Sequence, residues 1–304
     1  MSENNEEVTT KMVNRDPFAP VRLTRVQNRG RGTDKFMVEM VSEDGQEWRE
    51  LPGQSVVHSS NYRLVTNKQV HEMARAVMDR TGMEFKPVPS FGGGHSKALT
   101  WNGAHYVERW YAPGVMIKSP QDTDVMLGIE VRNSYDKSCK VGIAFFCLHM
   151  ACSNQFFGRN LLGAPMNFAH IGTGGELDES ADDAFEALQR QAEGFSRVAP
   201  TLGMLMNTRY TFEEFLDLRR AINEETGIVF RDREILDELS GSGITVKVGV
   251  AQAGAPLYGS PTTFWALANA MTAITTHAIG GLRGQDCSER AVDFLIQRAR
   301  EQRL

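Results

Sequence analysis

The feature that most limits what this chain can form is the stretch 141–148, in which almost every side chain is apolar. A strand with one face in water alternates apolar and polar residues, whereas a strand that is apolar on both faces belongs where both are covered. A second apolar stretch, 125–131, precedes it, and the polar residues 133–138 lie between the two. The pattern predicts a hairpin whose second strand is central in a sheet.

A further hairpin is predicted around Asn102-Gly103, because this dipeptide supplies the backbone conformation that tight hairpin turns require. Residues 97–101 and 105–111 would form its two strands. A weakly alternating strand is expected over 36–41, and the glycine-rich residues 90–94 indicate a turn. The first half of the chain therefore reads as a series of antiparallel strands.

Helical patterns dominate the second half. In the first half, Asn67 is expected to cap one helix that ends at Gly82. Four more helices are expected: from Asp178, from the capping box Thr211–Glu214 to about Gly227, over 261–279, and from Cys287 to the end. Strands first and helices afterwards predict an α+β fold, with an antiparallel sheet built from hairpins and packed by helices mostly from the second half.

The charge distribution suggests how the chain is divided. Residues 11–35 contain seven lysines and arginines against two aspartates, so this segment carries +5 while the whole chain carries −5. We expect residues 1–35 to form a basic, partly disordered N-terminal arm. Residues 36–304 would form a single α+β domain, hairpin-rich over 36–175 and helical over 176–304. The basic arm can bind phosphates, or its charge can protect a solvated strand edge from aggregation.

Composition indicates the compartment. No run of about 18 apolar residues is present, so no transmembrane helix is expected. The acidic start of the chain is unlike a secretory signal peptide, and four cysteines among 304 residues do not form a disulfide framework. We therefore expect a cytoplasmic protein with reduced thiols.

No catalytic motif is present. The glycines at 92–94 and 172–175 lack phosphate-loop spacing. Cys147, His149, Cys152 and His170 are the only grouping of metal-ligand types, and their spacing matches no common zinc site, so no metal and no cofactor are expected. Cys152, Asn154 and His170 also supply the residue types of a thiol hydrolase, which leaves an enzyme open.

Cations and aromatic residues alternate through the hairpin between residues 95 and 118. Aromatic rings can stack on bases while cations contact the phosphates, which suits sequence-tolerant binding of single strands. Large aromatic residues also pack in protein cores, so the same pattern is compatible with a purely structural hairpin.

Several short motifs together resemble one family. They are Y-R-L-V-T-N at 62–67, V-R-N-S-Y-D-K-S at 131–138, C-S-N at 152–154, a single histidine at 170, and T-F-W-A-L-A-N-A-M-T at 263–272 leading to a histidine at 277. In this order and spacing they are similar to the phage/plasmid-like protein family, a domain-of-unknown-function family of mobile elements. The resemblance covers roughly residues 50–300. Its landmark residues, interpreted as holding the fold, are Asn133, Asp136, Cys152, Asn154, His170, Trp265, Asn269 and His277.

The chain departs from the family at one turn. Where the family commonly has His-Asp-Gly, this sequence has Tyr135-Asp136-Lys137. The order of strands, hairpins and helices resembles that of single-strand annealing recombinases of the RecT, Red-beta and Erf kinds. Those proteins bind single strands in a groove of an oligomeric assembly and use no nucleotide and no catalytic residue.

The resemblance thus implies a single-stranded DNA-binding accessory protein of a phage or plasmid, homo-oligomeric, in the cytoplasm of the bacterial host cell. It would act in recombination or replication, with strand annealing as one possibility. The alternatives are an enzyme with a site near His170 and a structural or host-interaction protein. The residues expected to contact phosphates are Lys97, Arg109, Arg132, Lys137 and Lys140, with Arg22, Arg25, Arg29 and Arg31 as an auxiliary set and Trp101 and Tyr106 stacking on bases.

Overall fold

The fold is α+β, with hairpin strands in the first half of the chain and helices mostly in the second. The computed structural model describes residues 15–28, 31–51, 58–89, 98–118, 124–149, 154–156, 158–163, 165–168, 176–239, 262–279 and 281–302. Its strands form a large antiparallel sheet, a small antiparallel sheet and one short two-stranded pair.

The large sheet has the strand order β10-β9-β8-β7-β5, with β11 also pairing with β9 and β6 also pairing with β7. Its strands are β5 (Lys86–Pro87), β6 (Leu99–Trp101), β7 (His105–Lys118), β8 (Asp124–Ser134), β9 (Val141–His149), β10 (Asn154–Phe156) and β11 (Met166–Phe168). Every residue of β9 is buried, and β9 lies between β8 on one side and β10 and β11 on the other. The predicted central strand is confirmed.

The hairpin predicted at Asn102-Gly103 is also confirmed. Trp101 of β6 pairs with Tyr106 of β7. Gly103 has a φ of 91°, a conformation that side chains disfavour. The Asn102 Oδ1 atom accepts hydrogen bonds from the backbone N–H groups of Ala104 and His105, so the asparagine closes its own turn.

The small sheet contains β1 (Val21–Asn28), β2 (Arg31–Val41), β3 (Trp48–Glu50) and β4 (His58–Ser59). Strand β2 pairs with each of the other three. The boundary predicted between residues 35 and 36 falls inside β2, so it is wrong: residues 21–28 and 31–41 are paired strands. Val38 and Met40 of this sheet pack against Tyr135 at the end of the large sheet.

The helices are α1 (Asn67–Arg80), α2 (Arg159–Leu162), α3 (Glu176–Gly194), α4 (Val198–Asn207), α5 (Phe212–Thr226), α6 (Asp232–Leu239), α7 (Phe264–Ala273) and α8 (Gly281–Glu301). A 3₁₀ turn (Phe195–Arg197) precedes α4, and a π-helix (Ile274–Ile279) follows α7. The capping box Thr211–Glu214 of α5 is confirmed, with Gly227 at the opposite end. The first helix is capped by Thr66, whereas Asn67 was expected.

The last helix begins at Gly281, ahead of the expected Cys287. A side chain at Gly284 would lie inside the contact distance of the Thr275 carbonyl oxygen, so the glycine allows α8 to run close against the π-helix. Among the described residues, no helix is both long and apolar enough to span a membrane.

The two faces of the large sheet are covered differently. One face packs on the helices in a single large core that includes Leu127, Ile143 and Trp265. On the other face Ala144, Phe146 and Leu148 pack with Val88. The Phe146 ring lies directly over Gly128, where an added Cβ would overlap it. Both faces of the central strands are therefore buried.

Candidate nucleic-acid interface

The alternation of β7 separates the predicted aromatic and phosphate-binding residues. Tyr106 and Trp110 point to the helical core. Arg109 points to the opposite face, because successive strand residues alternate. The predicted interface needed rings and cations on one surface, and β7 does not provide that.

Tyr106 is 0% exposed and its hydroxyl donates a hydrogen bond to Glu108. Burial raises the pKa of this hydroxyl, with the neighbouring carboxylate of Glu108 adding to the effect. Trp101 is half-buried and meets the Tyr135 ring edge-on at 6.1 Å. The prediction that Tyr106 stacks on bases is wrong, because a ring in the core has no free face, and Trp101 packs between the two sheets.

Arg109 is not available to phosphates either. It is 4% exposed, and its Nε atom donates to Glu130 Oε2 at 2.7 Å. Glu130 lies directly across from it on β8 and is 0% exposed. The prediction of a phosphate contact is corrected: Arg109 forms a buried ion pair inside the sheet.

Arg132 is held in a different way, by amide oxygens. Its two terminal nitrogens donate to Asn167 Oδ1 at 2.9 Å and Gln285 Oε1 at 3.1 Å. Gly142 lies opposite Arg132 in the register, and an added Cβ there would be 2.9 Å from the Arg132 Nε atom. We call Arg132, Asn167 and Gln285 the amide clasp. Among the described residues, no carboxylate lies within ion-pair distance of Arg132.

Lys137 and Lys140 are exposed in the turn between β8 and β9. Lys137 has a φ of 63°, and among the described residues it is the one non-glycine with a positive φ. Asp136 shapes the turn by accepting a hydrogen bond from the Ser138 backbone N–H at 3.0 Å. Burial alone would raise the pKa of Asp136, but the hydrogen bonds from Ser138 and His105 lower it below the usual value.

The small sheet brings further cations next to this turn. The Arg25 guanidinium lies over the Phe36 ring, and Phe36 pairs with His58. The His58 ring nitrogen Nε2 donates to the Tyr135 carbonyl oxygen at 3.1 Å, two residues before Lys137. The small sheet thus contacts the residue that precedes the β8–β9 turn, and Arg25 and Lys35 are exposed cations of that sheet. We call Arg25, Lys35, Lys137 and Lys140 the basic end.

The remaining residues that were predicted to contact phosphates are either engaged in other contacts or outside the described part of the chain. Arg22 pairs with Glu39 at 2.8 Å and lies over the Trp48 ring at 4.3 Å. The backbone of Arg31 begins β2, and its side chain lies outside the described part of the chain. Arg29 and Lys97 lie outside the described residues.

Two of the landmark motifs come together at the start of α1. Asn133 is buried and donates through Nδ2 to the Val65 carbonyl oxygen and to Asn67 Oδ1, both at 2.9 Å. The Asn67 backbone N–H donates to the Tyr135 hydroxyl at 2.9 Å, and its side chain donates to the Pro17 carbonyl oxygen. Residues 62–67 and 131–138 thus form one hydrogen-bonded unit that joins helix, sheet and N-terminal segment.

Two further landmarks, Trp265 and Asn269, contact His149, which is 3% exposed. Its ring meets Trp265 edge-on at 5.6 Å and is hydrogen-bonded to Asn269. Burial lowers the pKa of His149 to about 4, although the hydrogen bond with Asn269 acts in the other direction. The backbone of Asn154 pairs with His149 in the sheet, and that of His277 lies in the π-helix. Cys152 and His170 lie outside the described residues.

Sequence reasoning missed a carboxylate that joins two elements. Glu108 Oε2 accepts the Tyr106 hydroxyl and also lies 2.7 Å from His71 Nδ1 on α1. The Phe18 ring packs against His71 at 5.1 Å. The available signal was a glutamate at a core-facing position of an apolar strand, since such a group needs partners.

His105, Asp136 and Ser138 have the residue types of a hydrolytic triad but not its geometry. Both Asp136 Oδ2, at 3.0 Å, and the Ser138 hydroxyl contact the same ring nitrogen of His105, Nε2. A triad needs the carboxylate and the nucleophile on opposite nitrogens, so that one orients the ring while the other loses its proton. This group stabilises the turn.

The thiols are not arranged for metal binding in the described part of the chain. Cys147 is fully buried among apolar side chains, and burial raises the pKa of its thiol to about 12. Cys139, Cys147 and Cys287 are free thiols. No group of three or more histidine, cysteine, aspartate or glutamate side chains in the described ranges could hold a metal ion.

Comparisons of the chain with protein-family models, with curated proteins and with solved structures return no match. The resemblance to the phage/plasmid-like family therefore stays a prediction. Within the described residues, the basic end and the amide clasp are the two groupings of cations and amides considered as ligand surfaces.

Proposed function

We propose that the protein is a single-stranded DNA-binding accessory protein of a phage or plasmid, and that it holds the strand through its phosphates at the basic end. The single observation that carries this proposal is the backbone of Lys137, with a φ of 63°. A non-glycine residue in the left-handed region costs about 1–2 kcal/mol, and glycine is free of that cost. The family that the sequence resembles commonly has glycine here.

A lysine at this position therefore lowers the stability of the turn and places a positive charge at its tip. Strained backbone conformations cluster at ligand-binding and active sites. Lys140 lies in the same turn, just before β9, and the small sheet that contacts Tyr135 carries the exposed cations Arg25 and Lys35. Four exposed or partly exposed cations at one end of an otherwise acidic molecule suit a polyanionic partner.

The burial of Tyr106 supports a particular mode of binding. If no core-facing ring stacks on bases, contacts to the strand run mainly through phosphates, and the bases stay free to pair. Annealing of two single strands requires this arrangement. We therefore include strand annealing in recombination or replication, by a homo-oligomer that aligns several basic ends along one strand.

The proposal is tested by fluorescence anisotropy with labelled oligo-dT across a salt series. Each phosphate contact to a single strand contributes about 0.7 to the slope of log affinity against log salt. Lys137→Gly is expected to reduce this slope by about that amount and to weaken binding, while raising the free energy of unfolding by about 1 kcal/mol. Because DNA affinity should fall while the free energy of unfolding rises, a loss of binding in this variant cannot be caused by damaged folding.

Two matched variants complete the design. Lys140→Gln should weaken binding as Lys137→Gly does, whereas Arg190→Gln, on the exposed face of α3, should change nothing. Affinity that is independent of salt, or no binding at low salt, would refute the proposal. The latter result would favour the structural or host-interaction protein, and turnover lost on His170→Ala would favour the enzyme.

A further inference from the structure

The amide clasp combines four elements around one guanidinium. Arg132 comes from β8, Asn167 from β11 and Gln285 from the first turns of α8, and Gly142 of β9 leaves the room in which the guanidinium lies. Arg132 and Asn167 are at least partly exposed, while Gln285 is 4% exposed. The clasp therefore opens to solvent on one side and is closed by the helix on the other.

The positive charge of Arg132 has no counter-charge in the described structure. Its partners are two neutral amides, and Glu130, two residues away on the same face of β8, is paired with Arg109.

Two donors of the clasp lack acceptors. Arg132 Nε and Gln285 Nε2 are buried and have no hydrogen-bond partner within the described chain. Buried donors are nearly always paired in folded proteins, so unpaired ones need an explanation. The side-chain oxygen of Gln285 accepts a hydrogen bond from Arg132. The NH₂ group of Gln285 therefore points away from the guanidinium and has no acceptor in the described chain.

We propose that the amide clasp is a binding site for a tetrahedral oxyanion of the phosphate class. The anion would lie on the open side of the guanidinium, and the amides of Gln285 and Asn167 would turn over so that each donates an N–H to it. A carboxylate has two oxygens and is satisfied by the guanidinium alone. Donors from three separate elements suit an anion with more than two oxygens.

This site does not depend on the proposed function, because the ligand can be free phosphate as well as a phosphate of a nucleic acid. Thermal unfolding of the full chain in sodium phosphate, compared with sodium acetate at equal ionic strength, measures it directly. A ligand that binds only the folded state raises the melting temperature with its concentration. We expect a saturable rise in phosphate and none in acetate.

The decisive variant is Gln285→Glu, which has nearly the same shape. Its carboxylate would pair with Arg132, so the variant should gain thermal stability and lose the response to phosphate. Gly142→Ala should displace the guanidinium and weaken phosphate affinity about tenfold or more. Arg190→Gln should respond as the wild type does. An equal response in phosphate and acetate, or a phosphate response that survives in Gln285→Glu, would overturn the proposal.

The source of the phosphate is distinguished by competition between oligonucleotides with a 5′-phosphate and with a 5′-hydroxyl. Preference for the phosphorylated strand, lost in Gln285→Glu, assigns the site to strand ends. Equal affinity for the 5′-phosphate and 5′-hydroxyl oligonucleotides, with the thermal response to phosphate intact, assigns the amide clasp to free phosphate. If the protein binds phosphate but no oligonucleotide, the proposed anion site is supported and the proposed DNA-binding function is refuted.

Discussion

The Nε atom of Arg109 lies 2.7 Å from Oε2 of Glu130, inside the sheet and away from water. Arg109→Leu leaves the buried Glu130 carboxylate without this partner, and Glu130→Gln removes the negative charge that faces buried Arg109, so each should lower the free energy of unfolding by about 3–5 kcal/mol. The double variant Arg109→Met, Glu130→Met should recover most of this loss. Urea denaturation measures all three.

A matched control for the buried pair is the exposed pair Arg190–Glu186 on α3, at 3.4 Å. Breaking it with Arg190→Gln should cost less than about 0.5 kcal/mol. If the buried and exposed pairs cost the same, the assignment of Arg109 to the interior is wrong.

The buried His149 should make stability depend on pH. Its folded pKa of about 4 lies below the ordinary 6.5, so folding favours the neutral ring. The contribution of His149 to the free energy of unfolding is fully present above about pH 6.5 and is lost as the pH falls toward 4. Between pH 7 and pH 4.5 this loss amounts to about 2–3 kcal/mol.

The contribution of His149 is isolated by comparing the wild type with His149→Gln. Denaturation at pH 7 and pH 4.5 should show a smaller difference in the variant, because other titrating groups such as Asp136 act on both proteins alike. Equal pH dependence in the two proteins would contradict the assignment.

Close packing on the second face of the sheet predicts a strong effect of one methyl group. At Gly128 an added Cβ would overlap the Phe146 ring, so Gly128→Ala should lower the free energy of unfolding by about 1–3 kcal/mol. Gly114, in the irregular part of β7, has nothing within 4 Å of such a Cβ, and Gly114→Ala should be nearly neutral. Combining Gly128→Ala with Phe146→Leu should relieve the overlap.

The two residues at the start of α1 should respond differently to alanine. Thr66→Ala removes only the cap and should cost about 1 kcal/mol. Asn67→Ala removes hydrogen bonds to Pro17 and Asn133 and leaves buried groups unpaired, so it should cost about 2 kcal/mol or more. Equal losses would mean that the Asn67 side chain adds little beyond a cap.

Those parts of the fold that are fixed by contacts between neighbouring residues could be predicted from the sequence. The turn at Asn102 and the capping box of α5 depend on hydrogen bonds between residues two or three positions apart. Thr66 and Asn67 are both capping types, so local rules did not separate them. Asn67 forms hydrogen bonds with Pro17 and Asn133, which are distant in sequence, and this leaves Thr66 as the cap. No short-range sequence pattern contains such contacts.

The candidate site could be predicted less well, because it depends on which sheet faces are covered. Charged residues at alternate positions of β7 and β8 usually mark a face in water, yet Arg109 and Glu130 are buried. Their pairing follows from a register that aligns residues 21 positions apart. For the N-terminal hairpin a signal was present: V-R-L-T at 21–24 alternates apolar and polar residues, but the arginines of this segment suggested a solvated arm.

The packing of the small sheet on Tyr135 has a consequence during synthesis on the ribosome. Strands β1 and β2 can pair as soon as they emerge, but the apolar cluster that contains Val38 and Met40 stays incomplete until Tyr135 is made. That residue follows Met40 by about 95 positions, which corresponds to roughly 5–20 s of translation. During this interval the nascent hairpin exposes an apolar face, and its arginines and lysines would keep neighbouring nascent chains apart.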